Sequence, residues 1–156
     1  SSDVSFNENL AEVISKKLAQ EYFKDNDKKI ADLKLNQYRH QKILELIVLK
    51  IKELNLIYQN SQDYDKSLKE FIDSDFKPAI KKVCEEYKIS NCWPLKETWN
   101  NARFAALSTY SSKQNRILEV YEKSNMNLKE FFHWILKKYD KYEGKEKFLT
   151  FLESEI

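Results

Sequence analysis

The sequence contains very little of the two residues that make tight turns. Gly144 is the single glycine among 156 residues, and Pro78 and Pro94 are the two prolines. Average usage is about 7% for glycine and about 5% for proline. Hairpins, bulges and phosphate-binding loops depend on glycine, so the scarcity excludes a glycine-rich phosphate site and argues strongly against sheets. It predicts an all-α fold.

The sequence also has few cysteines, no excess of one sign of charge and no long apolar run. Cys84 and Cys92 are the only cysteines, which excludes a framework of several disulfides and leaves open whether these two are bridged. The 27 Lys and Arg residues nearly balance the 25 Asp and Glu residues and are interspersed with them, so a nucleic-acid binder is disfavoured. No apolar run is long enough to span a membrane, and the first residues lack the pattern of a signal peptide.

Apolar residues recur at steps of three and four along most of the chain, which is typical of amphipathic helices. The longest pattern runs from Ile30 to about Gln59, and shorter ones begin near Phe6 and after Asn127. These patterns predict an irregular bundle of about six to seven helices that includes one long helix. A chain of 156 residues suits a single all-helical domain that covers residues 1–156.

Polar clusters predict where these helices begin and end. Residues 24–27 and 61–63 are each predicted to form a turn that supplies a helix cap, and residues 127–130 have the spacing of a capping box. We expect residues 73–78, which include Pro78, to break or kink a helix. We expect separate helices on either side of Ser108, one from about residue 99 and one around residues 117–121.

The first helix carries two carboxylates four residues apart, Glu8 and Glu12. This spacing places them on one face of the helix. Two buried carboxylates would each raise the pKa of the other, so this face is expected either to be exposed to water or to lie next to a positive charge. Helix capping and the helix dipole give an ordinary explanation for acidic residues at such a position.

Two segments carry a family resemblance: FNENLAE at residues 6–12 and WNNARFAALSTY at residues 99–110. Together they resemble the C-terminal half of the bacterial predicted-aminopeptidase family. Its members carry a zinc-binding HExxH helix, then an FNE-x-x-A segment, and later a helix that reads approximately N-N-A-x-x-A-x-x-x-x-Y. The similarity covers most of the chain, and the two short motifs are its most specific part.

The resemblance implies a role for four residues. In gluzincins, two histidines of HExxH bind zinc and a Glu from a downstream helix is the third ligand. Glu8 is similar to that third zinc ligand, and Glu12, one turn later, to a carboxylate that accepts a hydrogen bond from a ligating histidine. Asn101 would anchor the peptide substrate, and Tyr110 would donate to the oxyanion. Local capping or packing is the alternative for both of these residues.

The sequence departs from the family pattern because it contains no HExxH segment. His40 and His133 are its only histidines, and each is predicted to be ordinary: His40 on a polar helix face, His133 at the edge of the core. We therefore expect no tightly bound zinc in this chain alone. We expect the HExxH helix to lie upstream of Ser1 in a longer protein. A family member that has lost its chemistry and kept the helical scaffold is the alternative.

The leading hypothesis is that this chain is the helical C-terminal part of a zinc-dependent aminopeptidase that hydrolyses peptides. The chain would supply the third zinc ligand and one wall of the substrate cleft, and would be inactive without the HExxH helix. The resemblance allows a periplasmic or membrane-anchored parent protein. The alternative hypothesis is a non-enzymatic all-α interaction module that uses its many aromatic residues to pack a core or to contact a partner.

Overall fold

Helices account for all regular secondary structure in the part of the chain that the structure describes. The computed structural model describes the backbone of residues 4–142 and 147–156, with side chains except those of residues 4, 5 and 109–112. The α-helical segments are α1 (Val4–Tyr22), α2 (Asp27–Gln59), α3 (Tyr64–Phe71), α4 (Lys77–Glu86), α5 (Asn101–Ser124), α6 (Leu128–Tyr139) and α7 (Phe148–Glu153). A π-helical turn joins α3 to α4, and a 3₁₀ turn covers Trp93–Leu95. The all-α prediction with one long helix is confirmed.

The predicted caps are present at the start of three helices. Asn26 lies just before α2, and its side chain accepts a hydrogen bond at 3.0 Å from the backbone N–H of Lys29 in the first turn. Asp63 accepts from the Lys66 N–H at 3.0 Å at the start of α3. The side chain of Asn127 accepts from the Glu130 N–H at 2.9 Å, and the Glu130 carboxylate accepts from the Asn127 N–H at 3.0 Å. This reciprocal pair is a capping box, which satisfies two backbone donors that a helix start leaves without partners.

One of the two predicted interruptions is wrong. At the other, where residues 73–78 are predicted to break or kink a helix, a π-helical turn at residues 72–76 interrupts the α-helix, and the Lys77 N–H donates to the Ile72 carbonyl across it. Pro78 lies in the first turn of α4, where its missing N–H is tolerated. The two helices expected around Ser108 are the single helix α5. No glycine or proline lies within its sequence, so nothing in it stops the helix.

The contacts of the chain divide it into two compact units, each with its own core. Unit 1 comprises Ser1–Ile30 and Tyr110–Ile156, and unit 2 comprises Ala31–Thr109. The core of unit 1 contains Phe6, Leu10, Val13, Ile117, Val120, Phe131, Ile135, Phe148, Leu149 and Leu152. The core of unit 2 contains Ile43, Ile47, Ile51, Leu54, Phe71, Phe76, Ile80, Cys84, Cys92, Trp99 and Phe104. The single domain that the sequence suggests stays a prediction.

The two cysteines of the chain lie in unit 2 and are bridged: Cys84 and Cys92 form a disulfide, with their Cα atoms 6.0 Å apart. The bridge closes the loop that follows α4. Within this loop Lys88 has a φ of 52°, in the left-handed region, and the Ile89 N–H donates to the Cys84 carbonyl at 2.8 Å. The loop leads directly into Trp93 and Trp99, whose ring centroids lie 6.1 Å apart. The disulfide therefore ties the end of α4 to the aromatic part of this core.

No helix in the described residues is both long and apolar enough to cross a membrane.

Candidate functional site

The two candidate carboxylates of α1 lie on its solvent side. Glu8 and Glu12 are both exposed. The other side of α1 is anchored in the core of unit 1 by Phe6, Leu10 and Val13, which are 1%, 8% and 4% exposed. This distribution follows from the helical repeat, since residues 6, 10 and 13 share one face. The acidic face is therefore accessible to a ligand from outside the helix.

A positive charge also lies on this face, and it comes from the chain itself. The Lys16 ammonium is 2.8 Å from a carboxylate oxygen of Glu12, one helical turn away. The same ammonium donates to the Gln114 side-chain carbonyl at 3.4 Å. Glu12 is about half exposed in this pair, so the pair contributes little to stability. Its ordinary role in the structure is an intrahelical ion pair.

The described residues do not form a metal site by themselves. No group of three or more His, Cys, Asp or Glu side chains among them could hold an ion. A zinc site with protein ligands needs at least three such groups with tetrahedral geometry. Glu8 can offer one carboxylate, and any further ligands would have to come from elsewhere.

Asn101 lies in unit 2 at the start of α5 and contacts a residue that the sequence did not single out. The Tyr58 hydroxyl donates to the Asn101 side-chain carbonyl at 2.6 Å. Burial raises the pKa of Tyr58 above its ordinary value; the bond to Asn101 opposes this, and the charge of Asp65 adds to it. Tyr58 therefore stays a neutral donor at physiological pH. The bond from Tyr58 orients the Asn101 amide, whose nitrogen carries two N–H donors.

The neighbours of Asn101 have local structural roles. The Asn100 side chain accepts from the Arg103 backbone N–H at 2.9 Å, which caps α5. The Arg103 guanidinium lies 3.0 Å from the Glu97 carboxylate and 5.9 Å from the centre of the Trp99 ring. The indole N–H of Trp99 donates to the Pro94 carbonyl at 2.7 Å inside the core. The WNNAR segment thus fixes the start of α5, and the side chain of Asn101 bonds Tyr58 of α2.

The remaining candidates are placed as follows. Tyr110 lies within α5, but its side chain is outside the described residues, so its proposed contact with an oxyanion stays a prediction. His40 is half-buried with its ring centre 6.3 Å from that of Trp93. His133 is exposed, so its expected place at the edge of the core is wrong. The reason is its position on α6, which points its neighbours Phe131 and Ile135 inward and leaves residue 133 outside.

Sequence reasoning missed both partners of the candidate residues, for different reasons. Lys16 follows Glu12 by four residues, a spacing that favours an ion pair and can be seen in the sequence. Tyr58 and Asn101 are 43 residues apart. No local pattern signals such a pair, because it depends on how α2 packs near the start of α5.

Comparison with known proteins gives one match. The model of a family described as "Putative aminopeptidase" matches residues 1–149. Neither a curated protein nor a solved structure matches the chain significantly. The family match spans Glu8, Glu12 and the whole WNNARFAALSTY segment.

Proposed function

Because this chain belongs to the putative aminopeptidase family, we propose that it is the helical part of a zinc-dependent aminopeptidase in which Glu8 is a zinc ligand. The observation that carries this proposal is the exposure of Glu8 on a helix whose other face is held by Phe6, Leu10 and Val13. A ligand on a packed helix is positioned more accurately than one on a loop.

The donor set of this chain fits zinc only in part. Glu8 offers a carboxylate oxygen, which zinc accepts alongside histidine nitrogens. The two histidine ligands would come from residues outside this sequence. Zinc in such a site lowers the pKa of a bound water and polarises the scissile carbonyl.

Glu12 would act through a histidine rather than on the metal. A carboxylate that accepts the other N–H of a ligating imidazole fixes the orientation of its ring. In this chain the Glu12 carboxylate is bonded to Lys16. The pair is exposed and weak, so an imidazole could replace the ammonium at little cost in free energy.

Asn101 would bind the peptide substrate as a hydrogen-bond donor. The Tyr58 hydroxyl already donates to its carbonyl oxygen, so the side chain offers N–H groups to an acceptor. A peptide carbonyl is such an acceptor. Tyr110 would donate a hydrogen bond from its phenolic O–H to the oxyanion that forms when the peptide bond is attacked.

The test is Glu8→Gln in the gene product that contains this chain. Glutamine keeps the shape of the side chain and removes its charge, so we expect bound zinc to fall by at least about tenfold and hydrolysis of an amino-acid amide to fall with it. Glu21→Gln, an exposed acid at the end of α1, is the matched control and should keep both. Unchanged zinc content in Glu8→Gln would overturn the ligand assignment.

A non-enzymatic interaction module is the second candidate function. Several large apolar side chains of α2 are exposed, among them Leu49 at 52% and Leu56 at 60%. A contiguous exposed apolar surface often marks a contact with another protein. A gene product that binds no zinc and hydrolyses no peptide would favour this candidate.

A further inference from the structure

The solvent side of α2 carries a row of large side chains, which we call the α2 stripe. Its members are Tyr38, Lys42, Leu46, Leu49, Glu53, Leu56 and Ile57. Tyr38, Leu49, Leu56 and Ile57 are 47%, 52%, 60% and 40% exposed. The steps of three and four residues place these positions on one side of the helix. The core residues Ile43, Ile47, Ile51 and Leu54 lie on another side. Leu46 is half-buried and also packs against the core of unit 2, so it lies at the edge of the stripe. The exposed apolar members form a surface in addition to the one that the core uses.

The order of side chains in the stripe is complementary to itself when read in reverse. If two copies of α2 pack antiparallel about a twofold axis between residues 47 and 48, Leu46 faces Leu49 of the second copy. On either side of this centre, Lys42 faces Glu53 of the second copy. At the two ends, Tyr38 faces Ile57 of the second copy. Apolar residues thus meet apolar residues, and each cation meets an anion.

The charges beside the stripe favour the same arrangement. Glu45 and Lys52 are both exposed and lie on the same flank of α2. In the antiparallel pair, Glu45 comes close to Lys52 of the second copy. A parallel pair in register would instead place Lys42 against Lys42 and Glu53 against Glu53, and like charges in contact are destabilising. The sequence of charges therefore selects one orientation.

The present partners of these charges do not prevent the contact. Lys42 pairs with Glu45 at 2.7 Å, and Glu53 pairs with Lys50 at 2.6 Å, each within α2. Glu45 and Glu53 are 48% and 39% exposed in these pairs. The Lys42–Glu45 pair is exposed and contributes little, so Lys42 can exchange its partner at the surface of a second copy. Lys50 is only 11% exposed and also bonds Asp75, so Glu53 keeps its bond to Lys50 and shares its carboxylate with Lys42 of the second copy.

We propose that the α2 stripe is the contact surface of a homodimer, in which two copies of this chain pack α2 against α2 in antiparallel orientation. A contact between identical surfaces related by a twofold axis is the commonest form of protein dimer. The dimer is independent of zinc and of peptide hydrolysis. It gives the exposed apolar residues of α2 a partner of defined chemistry.

Charge reversal tests the proposal with the 156-residue chain. Sedimentation velocity between about 1 and 200 µM covers the affinities of small interfaces. We expect the mass to rise with concentration from 18.7 kDa to twice that value. Lys42→Glu should weaken dimerisation by about tenfold or more, because it faces Glu53 of the second copy. The double variant Lys42→Glu/Glu53→Gln should recover part of the dimer, because it removes the like charge across the interface and leaves Lys50 its bond to Asp75.

The matched control exchanges another exposed pair of unit 2. Lys81 and Glu85 lie one turn apart on α4, 69% and 68% exposed, and Lys81→Glu/Glu85→Lys should leave dimerisation unchanged. Leu49→Glu should give a monomer, while Leu136→Glu on α6, at a site of similar exposure, should not. Far-UV circular dichroism checks that each variant is folded. A monomer at every concentration, or a dimer indifferent to Lys42→Glu and Leu49→Glu, would overturn the proposal.

The orientation has a separate readout. With a nitroxide label at residue 57, the two labels of an antiparallel dimer should lie about 30 Å apart, because residue 57 of one copy is opposite residue 38 of the other and each residue adds 1.5 Å. Labels at residue 49 should lie much closer together. Short distances at both positions would indicate a parallel pair and would contradict the proposed contact.

Discussion

At the scale of single residues, Lys50 is the charged side chain most firmly built into unit 2. Its side chain is 11% exposed and its ammonium bonds Glu53 at 2.6 Å and Asp75 at 2.9 Å. Asp75 lies in the π-helical turn between α3 and α4. Lys50 therefore links the long helix α2 to the π turn that separates α3 from α4. A buried lysine is tolerated only with such partners.

Lys50 makes stability depend on pH in the alkaline range. Burial alone would lower the pKa of Lys50, but its hydrogen bonds to Glu53 and Asp75 outweigh burial and raise the pKa above 10.5. Because the folded state favours the charged form of Lys50, the ammonium adds stability below pH 10.5. This added stability is lost as the pH rises through the folded-state pKa. The pKa of Tyr58 is raised above 10.0 and acts in the same direction. We expect the free energy of unfolding to fall above about pH 10.

The variant Lys50→Met measures how much of the alkaline loss in the free energy of unfolding is due to Lys50. Urea unfolding from pH 8 to 11.5 should show a shallower loss of stability in Lys50→Met than in the unmodified chain. Lys34→Met, at an exposed position of α2, is the control. Equal slopes in Lys50→Met and the unmodified chain would contradict the assigned role of the ammonium.

At the scale of elements, the disulfide between α4 and the 3₁₀ turn is the strongest local constraint. Cys84 and Cys92 are eight residues apart, and closing a loop of this size in the unfolded chain stabilises the fold by about 2 to 3 kcal/mol. Both cysteines are buried, at 5% and 9% exposure. We expect reduction to lower the free energy of unfolding of unit 2 by this amount.

The measurement is urea unfolding of unit 2 with and without a reductant. Trp93 and Trp99 lie beside the bridge, so their fluorescence should report its loss. With or without reductant, the variant Cys84→Ala/Cys92→Ala should be about as stable as the reduced unmodified chain, because neither has the bridge. An unmodified chain whose unfolding ignores full reduction would show that the bridge does not stabilise unit 2.

Helix starts were predictable from sequence because they depend on local chemistry. Asn26, Asp63 and Asn127 cap helices at the positions that their residue types indicate. Helix continuity was not predictable in the same way. Polar residues between 108 and 114 interrupt the apolar pattern of α5 but do not interrupt its backbone bonds. Hydrophobic periodicity indicates which side of a helix packs against the core, and the packed side can change along a continuous helix.

At the scale of the whole molecule, the family and the fold class were predictable while the detail of the candidate site was not. Two short motifs sufficed for the family, and the lack of glycine and proline sufficed for helices. The partners of the site residues depend on tertiary packing, as the contact between Tyr58 and Asn101 shows. The ligand role of Glu8 cannot be read from this sequence, because it contains no HExxH segment. It stays a prediction that the Glu8→Gln variant tests.

The charges of the molecule predict a weak response of stability to salt. The net charge is +2, with 27 basic and 25 acidic residues. Many ion pairs join exposed side chains three or four residues apart on one helix, such as Lys66 with Glu70 and Lys81 with Glu85.

Such pairs contribute about 0.3 to 0.5 kcal/mol each to stability, and salt screens them. Salt also screens the small repulsion that arises from the net charge of +2. We expect the free energy of unfolding, measured in urea on dilute monomer, to change by less than about 1 kcal/mol between 0.05 and 0.5 M NaCl. The dimer formed through the α2 stripe should weaken over the same range, because its ion pairs form between molecules. A loss of stability of several kcal/mol in the monomer would instead mean that surface ion pairs hold the fold together.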